Sequence, residues 1–96
     1  MDEETQIALS RLVALAMDDT SASKASADFL PAWWNAGDLG GFDLTRLWLL
    51  DDQAATDMIQ VFAFVARHNV YPDVVMDRAE ITALVSRWRP QFAPAG

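Results

Sequence analysis

The stretch Asp51-Asp52-Gln53-Ala54-Ala55-Thr56-Asp57-Met58-Ile59-Gln60-Val61-Phe62-Ala63-Phe64-Val65-Ala66-Arg67-His68 decides the fold. Ala55, Met58, Ile59, Phe62, Val65 and Ala66 recur at the i, i+3, i+4, i+7 spacing of one helix face. Val61 and Phe64 widen that stripe. Asp51 or Asp52 can cap the start or serve as a first-turn acid. Arg67 and His68 in the last turn carry the charge that a helix C-terminus favours. Asn69 can adopt the left-handed conformation that closes such a helix. The spacing predicts an α-helix from Asp51 to about His68, with Phe62 mid-stripe and mostly buried.

The same periodicity appears on both sides of this stretch. Leu9, Leu12, Val13 and Ala16 form the tightest set in a helix predicted from Glu3 to about Asp18, and Ile7 and Leu15 broaden it. Asp2, Glu3 and Glu4 sit at its start, where the helix dipole favours negative charge. Asp18-Asp19 carry the wrong sign for a C-terminus, so the helix should end near Met17 and Asp19-Thr20-Ser21 should turn the chain. The next helix runs from about Ala22 to Ala36, with Ser21 or Ser23 as N-cap and Gly37 at the position after the C-cap. Phe29, Leu30, Trp33 and Trp34 are its apolar patch. Pro31 lies inside it and removes one backbone hydrogen bond. The expected outcome is a kink there in a continuous helix, the alternative being a new helix that starts at Pro31.

Gly37-Asp38-Leu39-Gly40-Gly41 breaks the chain. Asp43 can then cap a short helical turn through Leu47. The run Leu47–Leu50 is apolar all round, which predicts burial, and its periodicity fits a short strand as well. Tyr71-Pro72-Asp73 reads as a turn. Asp77 and Glu80 have capping-box spacing at the start of a last helix, about Arg78 to Arg89, whose stripe is Ile81, Leu84, Val85 and a mostly buried Trp88. Residues 91–96 read as a flexible tail, with Phe92 tucked in. The expected architecture is all-α: residues 1–96 form a small single-domain helical bundle of three longer helices plus a short helical turn, around a Trp/Phe-rich core.

Composition narrows function by exclusion. The chain has 96 residues, 52% of them hydrophobic, and Leu, Ile, Val and Phe alone number 25, which is too apolar for intrinsic disorder. Burial is hard to achieve at this size, so four Trp and five Phe must contribute heavily. A homodimer is the other way to gain burial. With no Cys, disulfides, thiolate zinc sites and thiol nucleophiles are excluded. No apolar run has membrane-span length, and the acidic start is unlike a signal peptide, so a cytoplasmic protein is expected. The net charge of −7 opposes direct contact with nucleic acid or an anionic membrane.

No catalytic set emerges. The single His, His68, falls at a helix end, where a solvated imidazole is the ordinary role. Gly37-x-x-Gly40-Gly41 lacks the Lys-Ser/Thr and preceding strand of a phosphate loop. Asp18, Asp19, Asp51, Asp52, Asp57, Asp73 and Asp77 could supply oxygen ligands, but their spacing matches no calcium loop, and capping accounts for most of them. No catalytic, cofactor or metal residue is therefore assigned. Charge is uneven along the chain: residues 1–57 hold 11 acids and 3 bases, residues 58–96 only 3 acids and 4 bases.

The blocks Ala27-Asp28-Phe29-Leu30, Ala32-Trp33-Trp34-Asn35-Ala36, Gly40-Gly41-Phe42-Asp43, Leu47-Trp48 and Tyr71-Pro72-Asp73, continued weakly by Trp88-Arg89, resemble a family of small uncharacterised proteins. That family is carried by proteobacterial chromosomes, plasmids and integrative elements. Pro31 departs from its pattern, which has an aliphatic residue there. The resemblance brings no activity, cofactor or catalytic residue. It implies a bacterial cytoplasm and a mobile-element origin.

The expected function is a non-enzymatic protein-binding module, in its sharper form a mobile-element accessory protein that inhibits a host defence complex stoichiometrically, as anti-CRISPR proteins do. Its partner should present a basic surface. The expected partner-binding residues are Asp18, Asp19, Asp38, Asp51 and Asp52, with Trp33 or Trp34 as an aromatic anchor. The alternatives are a DNA-binding regulator using Arg78, Arg87 and Arg89 of the last helix, and a metal-dependent hydrolase built on the acids.

Overall fold

The computed structural model describes residues 1–92. It holds four α-helices rather than three longer ones: α1 (Glu3–Ala16), α2 (Ser21–Leu39), α3 (Asp52–Arg67) and α4 (Arg78–Trp88). Three short 3-10 helices, Leu44–Leu49, Pro72–Val74 and Pro90–Phe92, complete it, and there is no strand among the described residues. The count of longer helices exceeds three because α4, the last helix expected over about Arg78 to Arg89, is a full 11-residue α-helix.

Each helix start is closed by a short polar side chain. Asp2 accepts from the Thr5 backbone N–H at 2.9 Å, Asp51 from that of Ala54 at 2.8 Å, and Asp77 and Glu80 form the capping box. For α2 the cap is Thr20, not Ser21 or Ser23; its hydroxyl accepts from the Ser23 N–H at 3.0 Å. Ser23 is thereby inside the first turn and buried. Helix α3 ends on an extended His68 (φ −130°, ψ 124°), so Asn69 does not take a left-handed conformation. Gly40, which closes α2, is the described residue with a positive φ, 95°.

Helix α1 packs between α3 and α2, and α4 lies against α2. The set Leu9, Leu12, Val13 and Ala16 is buried as its spacing predicts, whereas Ile7 is exposed. In α3 the inward face is rotated from the expected stripe: Met58 and Val61 are fully buried, and Ile59 is 60% exposed. The cause is a polar pin. Buried Asp57 takes a two-pronged hydrogen bond from Arg11, Nε to Oδ2 and Nη2 to Oδ1, both at 2.8 Å. Gln53 adds a bond at 3.2 Å. This pairing turns Asp57 toward α1 and carries Ile59 outward. Gln60 donates to the Thr5 hydroxyl at 2.9 Å, and the two cross-links set α1 and α3 antiparallel.

Between α2, α3 and the Gly40–Asp43 connection the core is aromatic. Phe29 is 6% exposed and meets Phe62 edge-on at 4.8 Å and Phe42 at 5.7 Å, while Phe42 and Phe62 stand 6.0 Å apart. Phe62 and Trp88 are partly buried and pack against this core. The Trp88 indole N–H donates to the Ala16 carbonyl at 2.7 Å, joining the end of α4 to the end of α1.

Helix α2 departs most from expectation. It passes through Pro31 and continues beyond Ala36 to Leu39, and its backbone break is at Asn35 (φ −160°, ψ 81°). Asn35 leaves the helix because its side chain caps a new turn: Oδ1 accepts from the Asp38 N–H at 3.2 Å and Nδ2 donates to the Asp38 carboxylate at 3.0 Å. The residues from Ala36 to Leu39 form that turn, and Leu39 is buried. Pro31 itself is fully buried inside the helix.

Pro31 is therefore a standing cost. In Pro31→Ala, the restored N–H can bond the Ala27 carbonyl one turn earlier. The gain of up to about 3 kcal/mol is offset by the smaller side chain and a looser unfolded chain. The expected net is a stabilisation of about 1–2 kcal/mol, a melting-point rise of several degrees. A thermal melt of the two proteins reads it directly; a lower melting point would show that the packed ring matters more than the missing bond.

Among the described residues no helix is long and apolar enough to cross a membrane. Of the expected tail, Pro90–Phe92 form a 3-10 turn with Phe92 47% exposed, and residues 93–96 lie outside the described residues.

Candidate functional site

Asp43 caps the 3-10 helix Leu44–Leu49. Its carboxylate accepts from the Thr45 N–H at 2.9 Å and the Thr45 hydroxyl at 2.8 Å. These bonds, the backbone one first, hold the carboxyl below its ordinary range, with Arg46 adding to the effect. A 3-10 helix rises about 2 Å per residue, so this whole element is only about 12 Å long. On it, Leu47 packs against the core, whereas Trp48 is 83% exposed, Leu44 67% and Leu49 42%. The run Leu47–Leu50 is thus neither strand nor buried throughout. A 3-10 turn places successive side chains about 120° apart, so a short element that is apolar all round cannot bury every side.

Trp48 is the outward tryptophan. Trp33 and Trp34 are only partly buried but engaged with their own chain. The Trp33 indole donates to the Val70 carbonyl at 3.0 Å, and Arg78 lies 5.4 Å above the Trp34 ring. Sequence reasoning missed Trp48 because a hydrophobic run reads as core. The available signal was its setting on a turn too short to be covered on all sides, immediately before Asp51-Asp52.

The expected acids are all exposed. Because α1 and α3 are antiparallel, Asp18 and Asp19 after α1 and Asp51 and Asp52 at the start of α3 lie toward one end of the molecule. Trp48 precedes Asp51 by three residues, so it belongs to the same end. Asp38 is separate: it is held by Asn35 in the turn that closes α2. Of the residues considered as metal ligands, Asp57 is paired with Arg11, Asp51 and Asp77 are caps, and no group of three or more acidic, His or Cys residues converges among the described residues. The arginines of α4 and of its C-cap are engaged too. Arg78 covers Trp34, Arg87 lies 5.5 Å above the Trp88 ring and donates to the Asp18 carbonyl at 2.9 Å, and Arg89 pairs with Asp28.

Arg89 holds together the blocks on which the resemblance rests. Its Nη2 meets the Asp28 carboxylate at 2.7 Å, Nε donates to the Leu39 carbonyl at 2.9 Å, and Nη1 to the Trp88 carbonyl at 3.0 Å. Asp28 is buried, so this pair fixes the returning turn of α2 and the end of α4 onto the middle of α2.

A family model, described as a family of unknown function (DUF7673), matches residues 6–89, and the chain belongs to that family. Neither a curated protein nor a solved structure matches it significantly.

Proposed function

We propose that the chain is a non-enzymatic protein-binding module that docks through the Trp48 turn and the neighbouring acids. The observation that carries this reading is Trp48 at 83% exposure, beside Leu44 and Leu49, at the end of the molecule that holds Asp18, Asp19, Asp51 and Asp52. An exposed Trp on a capped turn is a ready anchor, since a large ring loses little conformational freedom on docking. The acids toward the same end attract a basic rim on the partner and speed encounter. The partner is thus a protein with an apolar pocket edged by Lys and Arg. In its sharper form, the protein is a cytoplasmic accessory of a bacterial mobile element that blocks the basic, nucleic-acid-binding groove of a host defence complex. The acidic charge and the resemblance support that form.

The test is affinity capture from bacterial lysate at low and high salt, followed by binding measurements on the purified pair. Trp48→Ala should weaken binding about 30-fold, a hot-spot loss of about 2 kcal/mol, with an unchanged melting point. Changing Asp18, Asp19, Asp51 and Asp52 together to Asn keeps the α3 cap, because Asn caps as well as Asp. That variant should associate more slowly and lose the salt dependence. Binding that survives Trp48→Ala removes the anchor from the account, and tight binding to duplex DNA supports the regulator instead.

A further inference from the structure

The chain carries only seven Lys and Arg against fourteen acids, yet three of the seven line one cleft. Lys24 of α2, Arg46 of the 3-10 turn and Arg89 surround a concavity of about 570 Å³, walled by Trp88 and the Gly41 backbone and floored by Asp28. Arg89 is committed to Asp28, at 2.7 Å, so that pair is internally neutralised. Arg46 is not committed in the same way: only its Nε approaches Asp28, at 3.7 Å, beyond a good hydrogen bond, and its side chain is 40% exposed. Lys24 makes no ion pair among the described residues. A Cβ at Gly41 would meet nothing within 4 Å, so the rim there is open backbone.

From this we infer that the cleft binds a small oxyanion, a carboxylate or phosphate head group held by Lys24 and Arg46. The acid on the rim, Asp43, already accepts from Thr45 and leaves the cleft groups at net +1, the charge that one bound anion balances. Arg46 supplies a planar fork and Lys24 a mobile point charge, the pair of donors that oxyanions commonly meet. Arg89 positions the floor and does not itself receive the anion. The inference rests on these cations and not on the docking role of Trp48.

The experiment is a nitrogen-15 amide titration of the full chain at low ionic strength, with inorganic phosphate, with acetate, and with sodium chloride at matched ionic strength. Saturable shifts centred on the Gly41 amide and the Trp88 indole N–H are expected with phosphate or acetate, and the arm that saturates identifies the head group. Lys24→Gln combined with Arg46→Gln should weaken that binding at least tenfold, about 1.4 kcal/mol. Both positions are on the surface, so the melting point should hold, and Lys24→Gln alone should give an intermediate loss. Shifts that chloride reproduces, or a double variant that titrates like the parent, would overturn the site. Phe42→Leu, which leaves both cations in place, should keep the binding.

Discussion

Phe29→Ala should lose about 3–5 kcal/mol of stability, the usual cost of deleting a buried aromatic ring. Phe29 is the buried member of the aromatic cluster, only 6% exposed, and it meets Phe62 at 4.8 Å and Phe42 at 5.7 Å. Removing it leaves two edge-on contacts empty and a cavity bounded by α2, α3 and the Gly40–Asp43 connection, none of which can collapse inward independently. A domain of this length has only about 5–15 kcal/mol in reserve. The variant should therefore melt more than 10 °C lower, or fail to fold at growth temperature. Urea denaturation gives the free energy, and Ile59→Ser is the control. Ile59 lies three residues before Phe62 on the same helix but is 60% exposed, so its loss should change stability by less than about 0.5 kcal/mol. Equal losses at the two positions would mean that α3 is rotated from the orientation described.

The second large effect is at Asp28. Asp28→Ala leaves the Arg89 guanidinium, itself only 20% exposed, without its carboxylate. Breaking a buried ion pair from one side costs about 3–5 kcal/mol, and the partial exposure of this one reduces that to about 2–4. The loss should not stay local. Arg89 also holds the Leu39 carbonyl, so the turn after Asn35 should loosen, and hydrogen-exchange protection of the Gly40 amide, which donates to Ala36, should fall with it. Asp28→Asn keeps an acceptor and should recover part of the stability. A double-mutant cycle with Arg89→Gln isolates the pair; a coupling near zero would show that Asp28 acts only by filling space.

Only the first of these effects is legible in the sequence. Phe29 stands in an apolar patch at helical spacing, which marks it as core. The partnership of Asp28 with Arg89, 61 positions apart, has no local trace. The same holds for Arg11 and Asp57, whose pairing decides which way α3 faces. A stripe as broad as that from Ala55 to Ala66 can bury either of two adjacent sectors, and a single charged pair selects between them.

What the sequence determined by itself is whatever depends on neighbours within a turn or two. The helix periods, the Asp2, Asp51 and Asp77 caps, the inward set Leu9, Leu12, Val13 and Ala16, and the all-helical class follow from local spacing and short-range hydrogen bonds. What only the tertiary structure decided depends on groups distant in the chain. Asn35, not Pro31, breaks α2, because the turn it caps is fastened from α4 by Arg89. Trp48 faces outward while Trp33 and Trp34 turn toward their own chain, because the hydrogen bond to Val70 and the cover from Arg78 come from the segment after α3 and from α4. Hydrophobicity tells a side chain to seek cover, but the amount of cover at each position is set by elements that arrive from elsewhere in the fold.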